Sequence, residues 1–293
     1  ARRSFDDRFT NGDQFDVVDR LAERIGWLLL DDWGPVSRSG IRLRDRTPSR
    51  SSRPAIQHYY EAFEQVDPAD IAAAADHLAP VSSEDPVGLA ALSDATTVSW
   101  LLGVELGSEA RDRAEELALR AVALAPKLVE AHLALGYAHF TKSRSTLMER
   151  EFDVALGLGP PSPNTLHCVA IMYALDGSWE RGEVAARQAV EKNPDLPRYW
   201  HMVPCIAALH RGEFEQAYVE SVQIGDTIGF VGPALRLASA HPLGLASSED
   251  AKQFGDLTPE AGVQSVEDTV ARPFHDPVIR DLVMQAVDAT GIS

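Results

Sequence analysis

The segments AEELALRAVALAP (residues 114–126), MEREFDVALGLGP (148–160) and GEVAARQAVEKNP (182–194) end on prolines that lie 34 residues apart. In each segment an alanine comes five residues before the proline: Ala121, Ala155 and Ala189. A fixed period of about 34 residues is typical of stacked helix–turn–helix units. The pattern therefore predicts an all-α protein, a helical-hairpin solenoid in which small residues let neighbouring helices approach closely.

Working outward from these segments, apolar periodicity and turn glycines predict four helical hairpins. The expected helix pairs are 87–106 with 109–124, 129–141 with 147–156, 164–175 with 179–191, and 197–209 with 214–223. A degenerate hairpin is expected before them, at 55–66 and 71–78. Pro204 falls inside the first helix of the fourth hairpin, where it removes a backbone hydrogen bond and predicts a kink.

The pattern divides the chain into three parts. Residues 1–53 hold an N-terminal helical extension (14–30) and an Arg/Ser-rich linker, 54–229 hold the helical repeats, and 230–293 form a C-terminal cap region. The last amphipathic helix, at 276–290, is expected to cap the array by covering its final apolar face. The six arginines of 38–53 belong either to a solvated linker or to a cluster that docks on an acidic face or a phosphate.

Composition excludes several functional classes. The 293 residues carry 27 Lys plus Arg and 44 Asp plus Glu, so the net charge is -17. Such a chain repels nucleic acid and anionic membranes, and direct contact with nucleic acid is not expected. No apolar run approaches the ~18–20 residues that cross a bilayer. Two cysteines make no disulfide framework. We therefore expect a cytoplasmic protein without a membrane span.

Motifs of common catalytic sites are missing. The sequence contains no phosphate-binding loop, no His-Glu-x-x-His, no Cys-x-x-Cys and no Gly-x-Ser-x-Gly. Histidines 132, 139, 167 and 201 fall on successive predicted first helices, where they could bind a metal or a phosphorylated group, or could serve singly in packing. Packing is favoured because no carboxylate on the same face completes a ligand set. We expect no enzymatic activity, no cofactor and no metal.

Residues 114–223 resemble tetratricopeptide repeats. The matching residues, besides the alanines and prolines above, are Leu135, Gly136, Phe152, Tyr173 and Gly177. The departures are Met148 and Gly182, where a small alanine is usual, and Ala170, which replaces the first-helix glycine. In this family the first helices of the hairpins line a concave surface, so the resemblance implies a protein-interaction scaffold.

On that resemblance, the inner surface would be apolar and aromatic with few charges. Such a surface suits an apolar peptide or helix laid in a groove. The alternative is that the chain's own C-terminal helix, or a second copy of the chain, covers it. The partner-binding groove is predicted to comprise Tyr137, Phe140, His167, Ile171, Tyr199, Met202, Ile206 and His210.

A second resemblance lies at the N-terminus. FDDRF (5–9) and FDVVDRLAERI (15–25) are similar to a junction in bacterial signalling proteins, where a mixed α/β domain precedes tetratricopeptide repeats. That upstream domain is often a class III adenylate cyclase-like domain or a winged-helix DNA-binding domain. The resemblance implies a C-terminal sensory or regulatory region of a larger signalling protein, or a stand-alone descendant of one. No functional residue carries over, because none of the upstream motifs is present.

Two functions follow as expectations. The first is a non-catalytic scaffold for protein–protein interaction that binds an apolar peptide or helix in its concave groove. The second is a regulatory region attached to a nucleotide cyclase or a DNA-binding transcriptional regulator. Both imply a protein or peptide partner, which could be a second copy of the chain.

Overall fold

The computed structural model describes residues 54–56, 58–59, 62, 68–80, 85–105, 107–194, 197–225, 228–257 and 265–291. Within these ranges the chain forms helices and turns and no strand, which confirms the all-α prediction. The predicted N-terminal helix at 14–30 and the arginine-rich segment 38–53 lie outside the described residues.

The helices follow one another with short connections. In chain order they are α1 (Pro68–Leu78), α2 (Pro86–Leu101), α3 (Ser108–Leu124), α4 (Val129–Thr141), α5 (Ser145–Gly157), α6 (Pro163–Asp176), α7 (Trp179–Lys192), α8 (Met202–His210), α9 (Phe214–Ile224), α10 (Val231–Ala240), α11 (Ser248–Leu257), α12 (Val266–Ala271) and α13 (Pro277–Thr290). Two short 3₁₀ turns, Arg198–His201 and His241–Leu243, precede α8 and follow α10.

Contacts between the helices build a stacked array of hairpins. Helix α2 pairs with α3, α4 with α5, α6 with α7, and α8 with α9. The first helices also contact one another in sequence, from α2 through α4, α6 and α8 to α10. Every residue from Ala131 to Thr141 of α4 is buried, whereas α5 buries only Met148, Phe152 and Ala155. The first helices are therefore an inner layer, and the predicted helical-hairpin solenoid is confirmed.

Helices α6 and α7, which form the third hairpin, are in close contact at Gly182 on α7. A Cβ atom at this position would lie 2.7 Å from the backbone oxygen of Ala170 and 3.2 Å from the backbone nitrogen of Ala174, both on α6. Backbone atoms cannot yield as the end of a side chain can. The glycine at position 182 therefore sets the spacing of α6 and α7.

Substituting Gly182→Ala is expected to lower the free energy of unfolding by about 1–3 kcal/mol, because the added methyl group must push two packed helices apart. Urea unfolding followed by circular dichroism measures the change. Gly255→Ala in α11 is the matched control, since no described atom outside the backbone of its own helix lies within 4 Å of the added Cβ. There the removal of a helical glycine should be neutral or stabilising by up to about 1 kcal/mol. Equal effects at both positions would contradict the close approach.

The fourth hairpin departs from the prediction of one kinked first helix. The 3₁₀ turn Arg198–His201 leads into α8, and the backbone N–H of Met202 bonds to the carbonyl of Tyr199. Pro204 therefore stands in the first turn of α8. A missing N–H costs little there, since the first four N–H groups of a helix have no intrahelical partner. The break lies before the proline, not at it.

The C-terminal part packs on the end of the array. Helix α10 contacts α8 and α9, and α13 contacts α10 and α8. Helix α13 buries Ile279, Val283, Ala286 and Val287 in these contacts. The predicted C-terminal capping helix is confirmed. Across the helices that the structure describes, none combines the length and apolarity needed to cross a membrane.

Candidate functional site

The eight predicted groove residues all lie on the inner layer, on α4, α6, α8 and the 3₁₀ turn before α8. Seven are buried, with Phe140 and Ile206 at 0% exposure, and His210 keeps 12% of its side chain exposed. The inner surface is therefore covered. Its cover is the segment Arg272–Asp276, here called the strap, together with the residues that flank it.

Backbone hydrogen bonds attach the strap to the end of α6. The N–H groups of His275 and Asp276 both donate to the carbonyl oxygen of Leu175, at 3.0 and 3.2 Å. At the other end, Nη1 of Arg272 donates to the carbonyl oxygen of Trp100 at 3.2 Å. Between them Phe274 is fully buried. The strap thus runs across the inner layer from α2 to α6.

Side chains of the strap pair with two of the predicted groove residues. The imidazole of His275 stacks on the ring of Phe140, with centroids 4.0 Å apart and planes 9° from parallel. Its Nδ1 lies 3.3 Å from a carboxylate oxygen of Asp176. The carboxylate of Asp276 is hydrogen-bonded to Nε2 of His210. A ring stack, two backbone hydrogen bonds and an ionisable side-chain pair therefore attach the five residues of the strap to the inner layer.

Asp276 also caps the N-terminus of α13. One of its carboxylate oxygens accepts a hydrogen bond from the N–H of Val278 at 2.8 Å, which makes it the N-cap. Its side chain also fills the space beside Gly177, whose φ of +99° ends α6. The same carboxylate therefore links the capping helix to the groove.

A cavity of about 80 Å³ remains beneath the strap. Five of the eight predicted residues line it, and residues of α2, α10 and the strap complete it. The lining residues are Asp94, Val98, Leu101, Leu102, Tyr137, His167, Cys168, Ile171, Met172, Leu175, Tyr199, Met202, Ile228, Val231 and Pro273. Nearly all of the accessible surface of this cavity is apolar.

Burial shapes the electrostatics of the cavity. The carboxylate oxygen Oδ1 of Asp94 lies out of contact with water, and this burial raises the pKa of the carboxyl group to about 7. Burial lowers the pKa of His167 well below its usual value, so its ring is neutral. That ring stacks on Trp200 with centroids 3.8 Å apart. Among the described residues, neither of its nitrogens has a hydrogen-bond partner.

The other histidines weighed in the sequence pair with acids. Nδ1 of His132 lies 2.7 Å from Glu151, and Nδ1 of His201 lies 2.7 Å from Glu220. The first pair joins the two helices of the second hairpin, and the second pair joins the 3₁₀ turn before α8 to α9. No group of three or more metal-binding side chains occurs in the ranges that the structure describes.

The strap and Asp94 were both missed by sequence reasoning. Asp94 is the one charged residue in the run VGLAALSDATTVSWLL, which α2 buries almost entirely. A single acidic residue inside an otherwise uncharged, buried helix is unusual, and it could have marked Asp94 as a residue of interest. The strap has no such signal beyond two prolines, Pro273 within it and Pro277 directly after it. Its partners are distant in sequence.

Comparison with known proteins finds similarity to solved structures and no match of sequence. No family model matches the chain, and no curated protein matches it. A tetratricopeptide repeat protein from Parabacteroides merdae is similar in structure, with a TM-score of 0.45 and 12% identity. The match covers 84% of this chain and 95% of that one. The hairpin architecture of this chain therefore rests on its own helix contacts.

Proposed function

We propose that this chain is a non-catalytic protein-interaction scaffold that binds an apolar peptide in its concave groove. The peptide would take the place of the strap. One observation carries the proposal: the inner layer already holds the strap, a turn that ends in an extended residue, through contacts that a peptide of similar chemistry could make. The two backbone hydrogen bonds to Leu175 do not depend on the side chains of the bound segment.

The side-chain contacts define the kind of partner. The position of Phe274 is fully buried and takes a large apolar side chain. The next position faces the ring of Phe140 and takes a planar one. The third faces His210 and takes a carboxylate. The partner is thus a segment that presents an apolar, an aromatic and an acidic residue in succession.

The attached strap sets the affinity for such a partner. A segment of the same chain competes at an effective concentration on the order of millimolar. An external peptide therefore binds well only when its contacts are better than those of the strap or when the strap is weakened. Exchange of one for the other gives the scaffold a covered and an open state.

The test uses a fluorescent peptide with the sequence of residues 270–279, VARPFHDPVI, and two forms of the full chain. The second form carries His275→Ala and Asp276→Asn, which remove the ring stack and the pair with His210. Asparagine at 276 still caps α13. We expect this form to bind the peptide at least about tenfold more tightly than the unaltered chain, measured by fluorescence anisotropy, since its internal competitor is weaker.

The control peptide has alanine in place of Phe274, His275 and Asp276. It should bind the altered chain at least about tenfold more weakly, because three anchoring side chains are missing. Thermal melting by circular dichroism checks that the altered chain is folded. Equal binding of the two peptides, or no gain in the altered chain, would overturn the proposal.

A further inference from the structure

The strap contributes one described residue, Pro273, to the wall of the cavity beneath it. The other described residues of the wall belong to α2, α4, α6, α8, α10 and the segments next to these helices. A peptide that takes the place of the strap would therefore leave the rest of the wall as it is. It would replace only the residue at the position of Pro273.

The space beside Pro273 is larger than a proline ring can fill. Since one water molecule needs about 10–15 Å³ of such space, the 80 Å³ of the cavity have room for about five to eight further non-hydrogen atoms. Nearly all of the accessible surface of the cavity is apolar. A polar group that enters it would lose its hydrogen bonds to water without replacing them. The cavity therefore fits the end of a large apolar side chain.

The residues on both sides of Pro273 fix its position beside the cavity. Before it, Nη1 of Arg272 donates to the carbonyl oxygen of Trp100 at 3.2 Å. After it, Phe274 is fully buried, and its N–H donates to the carbonyl oxygen of Val270 at 3.3 Å. A segment held by the same contacts brings its corresponding side chain to the same point.

We infer that the peptide partner carries a large apolar side chain, of the size of methionine or phenylalanine, at the position of Pro273, and that this side chain fills the cavity. The inference rests on the proposed function and adds one position to it, directly before the position of Phe274. It also explains how an external peptide displaces the attached strap. The partner buries apolar atoms in a cavity that the proline of the strap is too short to fill.

The first experiment uses the full chain with His275→Ala and Asp276→Asn. Four fluorescent peptides of residues 270–279 carry proline, phenylalanine, methionine or glutamine at the position of Pro273. The phenylalanine peptide should bind at least about tenfold more tightly than the proline peptide, because the gain from further buried carbons exceeds the loss of the rigid proline. The methionine peptide should bind at least about tenfold more tightly than the glutamine peptide, which has a similar reach but a polar end.

The outcomes separate this inference from the proposed function. If none of the four peptides binds, the proposed scaffold is wrong and this inference is wrong with it. If the peptides bind with equal affinity, or if the glutamine peptide binds as tightly as the methionine peptide, the scaffold stands and only this inference is overturned.

Substitutions in the wall locate the side chain of the bound peptide. Ile171→Phe fills part of the cavity from α6, so the advantage of the phenylalanine peptide over the proline peptide should fall at least about fivefold. Val98→Leu adds a single carbon from α2 and should reduce the advantage in the same direction. Thermal melting by circular dichroism identifies the variants that fold. An undiminished advantage in the folded variants would place the side chain outside this cavity and contradict the inference.

The strap itself offers a test that needs no external peptide. Pro273→Met and Pro273→Gln, made separately in the otherwise unaltered chain, place side chains of similar reach beside the cavity. The amides of His275 and Asp276 donate to the carbonyl oxygen of Leu175 and report on attachment of the strap. These amides should exchange with deuterated water at least about tenfold more slowly in the methionine variant, because only methionine enters an apolar cavity without losing hydrogen bonds. Equal rates, or faster exchange in the methionine variant, would overturn the inference.

Discussion

Phe152→Ala is expected to lower the free energy of unfolding by about 3–5 kcal/mol. The ring is fully buried between the second and third hairpins. It makes edge-to-face contacts with Tyr137 and Tyr173, at centroid distances of 5.9 and 5.7 Å, and packs against Gly136. Its removal leaves a cavity that helices on both sides cannot fill. Urea unfolding monitored by circular dichroism measures the loss.

Leu147→Ala on the same helix is the control for this experiment. Leu147 is 40% exposed, so its truncation should change stability by only about 0.5 kcal/mol. A loss at Phe152 no larger than that at Leu147 would mean that α5 does not contribute to the core as described.

The second large effect is a dependence of stability on pH that comes from Asp94. Its pKa is raised from 3.8 to about 7 in the folded chain, so the folded state keeps a proton that the unfolded state releases. Stability is therefore full below about pH 4 and falls as the pH rises to about 7. The loss from this one group is about 1.4 kcal/mol per pH unit, or about 4 kcal/mol over the whole range.

Asp94→Asn removes this dependence, because asparagine does not titrate. Urea unfolding of both proteins at several values between pH 4 and pH 8 gives the difference directly. We expect the variant to become more stable relative to the unaltered chain as the pH rises, by about 4 kcal/mol in total. If the free energy of unfolding changes with pH in parallel for the two proteins, the pKa of Asp94 is not raised in the folded chain and the prediction is wrong.

Much of the hairpin array could be predicted from the sequence, because its contacts are local. The 34-residue period placed α4 at 129–141, where the structure has it, and the bounds of α5, α6 and α7 differ by one or two residues. The small residues at the helix crossings predicted which helices pack against each other. The fourth hairpin was less predictable, since a proline in a helix predicts a break but not on which side of the proline it falls.

The position of the eight residues on the inner layer was predictable, and the segment that covers them was not. The inner positions of α4, α6 and α8 follow from helix periodicity once the hairpins are known. The strap reaches them through contacts such as Asp276 with His210, 66 residues apart, and Arg272 with Trp100, 172 residues apart. No local pattern encodes such a contact. The eight residues therefore looked like an open groove in the sequence, although covering by the C-terminal part was one of the alternatives.

The lone acid made Asp94 noticeable in the sequence, but the direction of its side chain could not be predicted. Helix α2 buries residues on all of its sides, so periodicity does not assign one face to the solvent. An acid on such a helix can face water or the interior. The packing of α2 against its neighbouring helices decides this, and it places Asp94 beside the cavity.

The most direct test of the account follows hydrogen exchange in the strap. A peptide selected from a random library on the His275→Ala, Asp276→Asn chain is added to the unaltered chain at saturating concentration. We expect that the amides of His275 and Asp276, which donate hydrogen bonds to Leu175, lose protection when the peptide binds. Binding that leaves these two amides protected, or a library that yields no binding peptide, would contradict the claim that the strap occupies a peptide site.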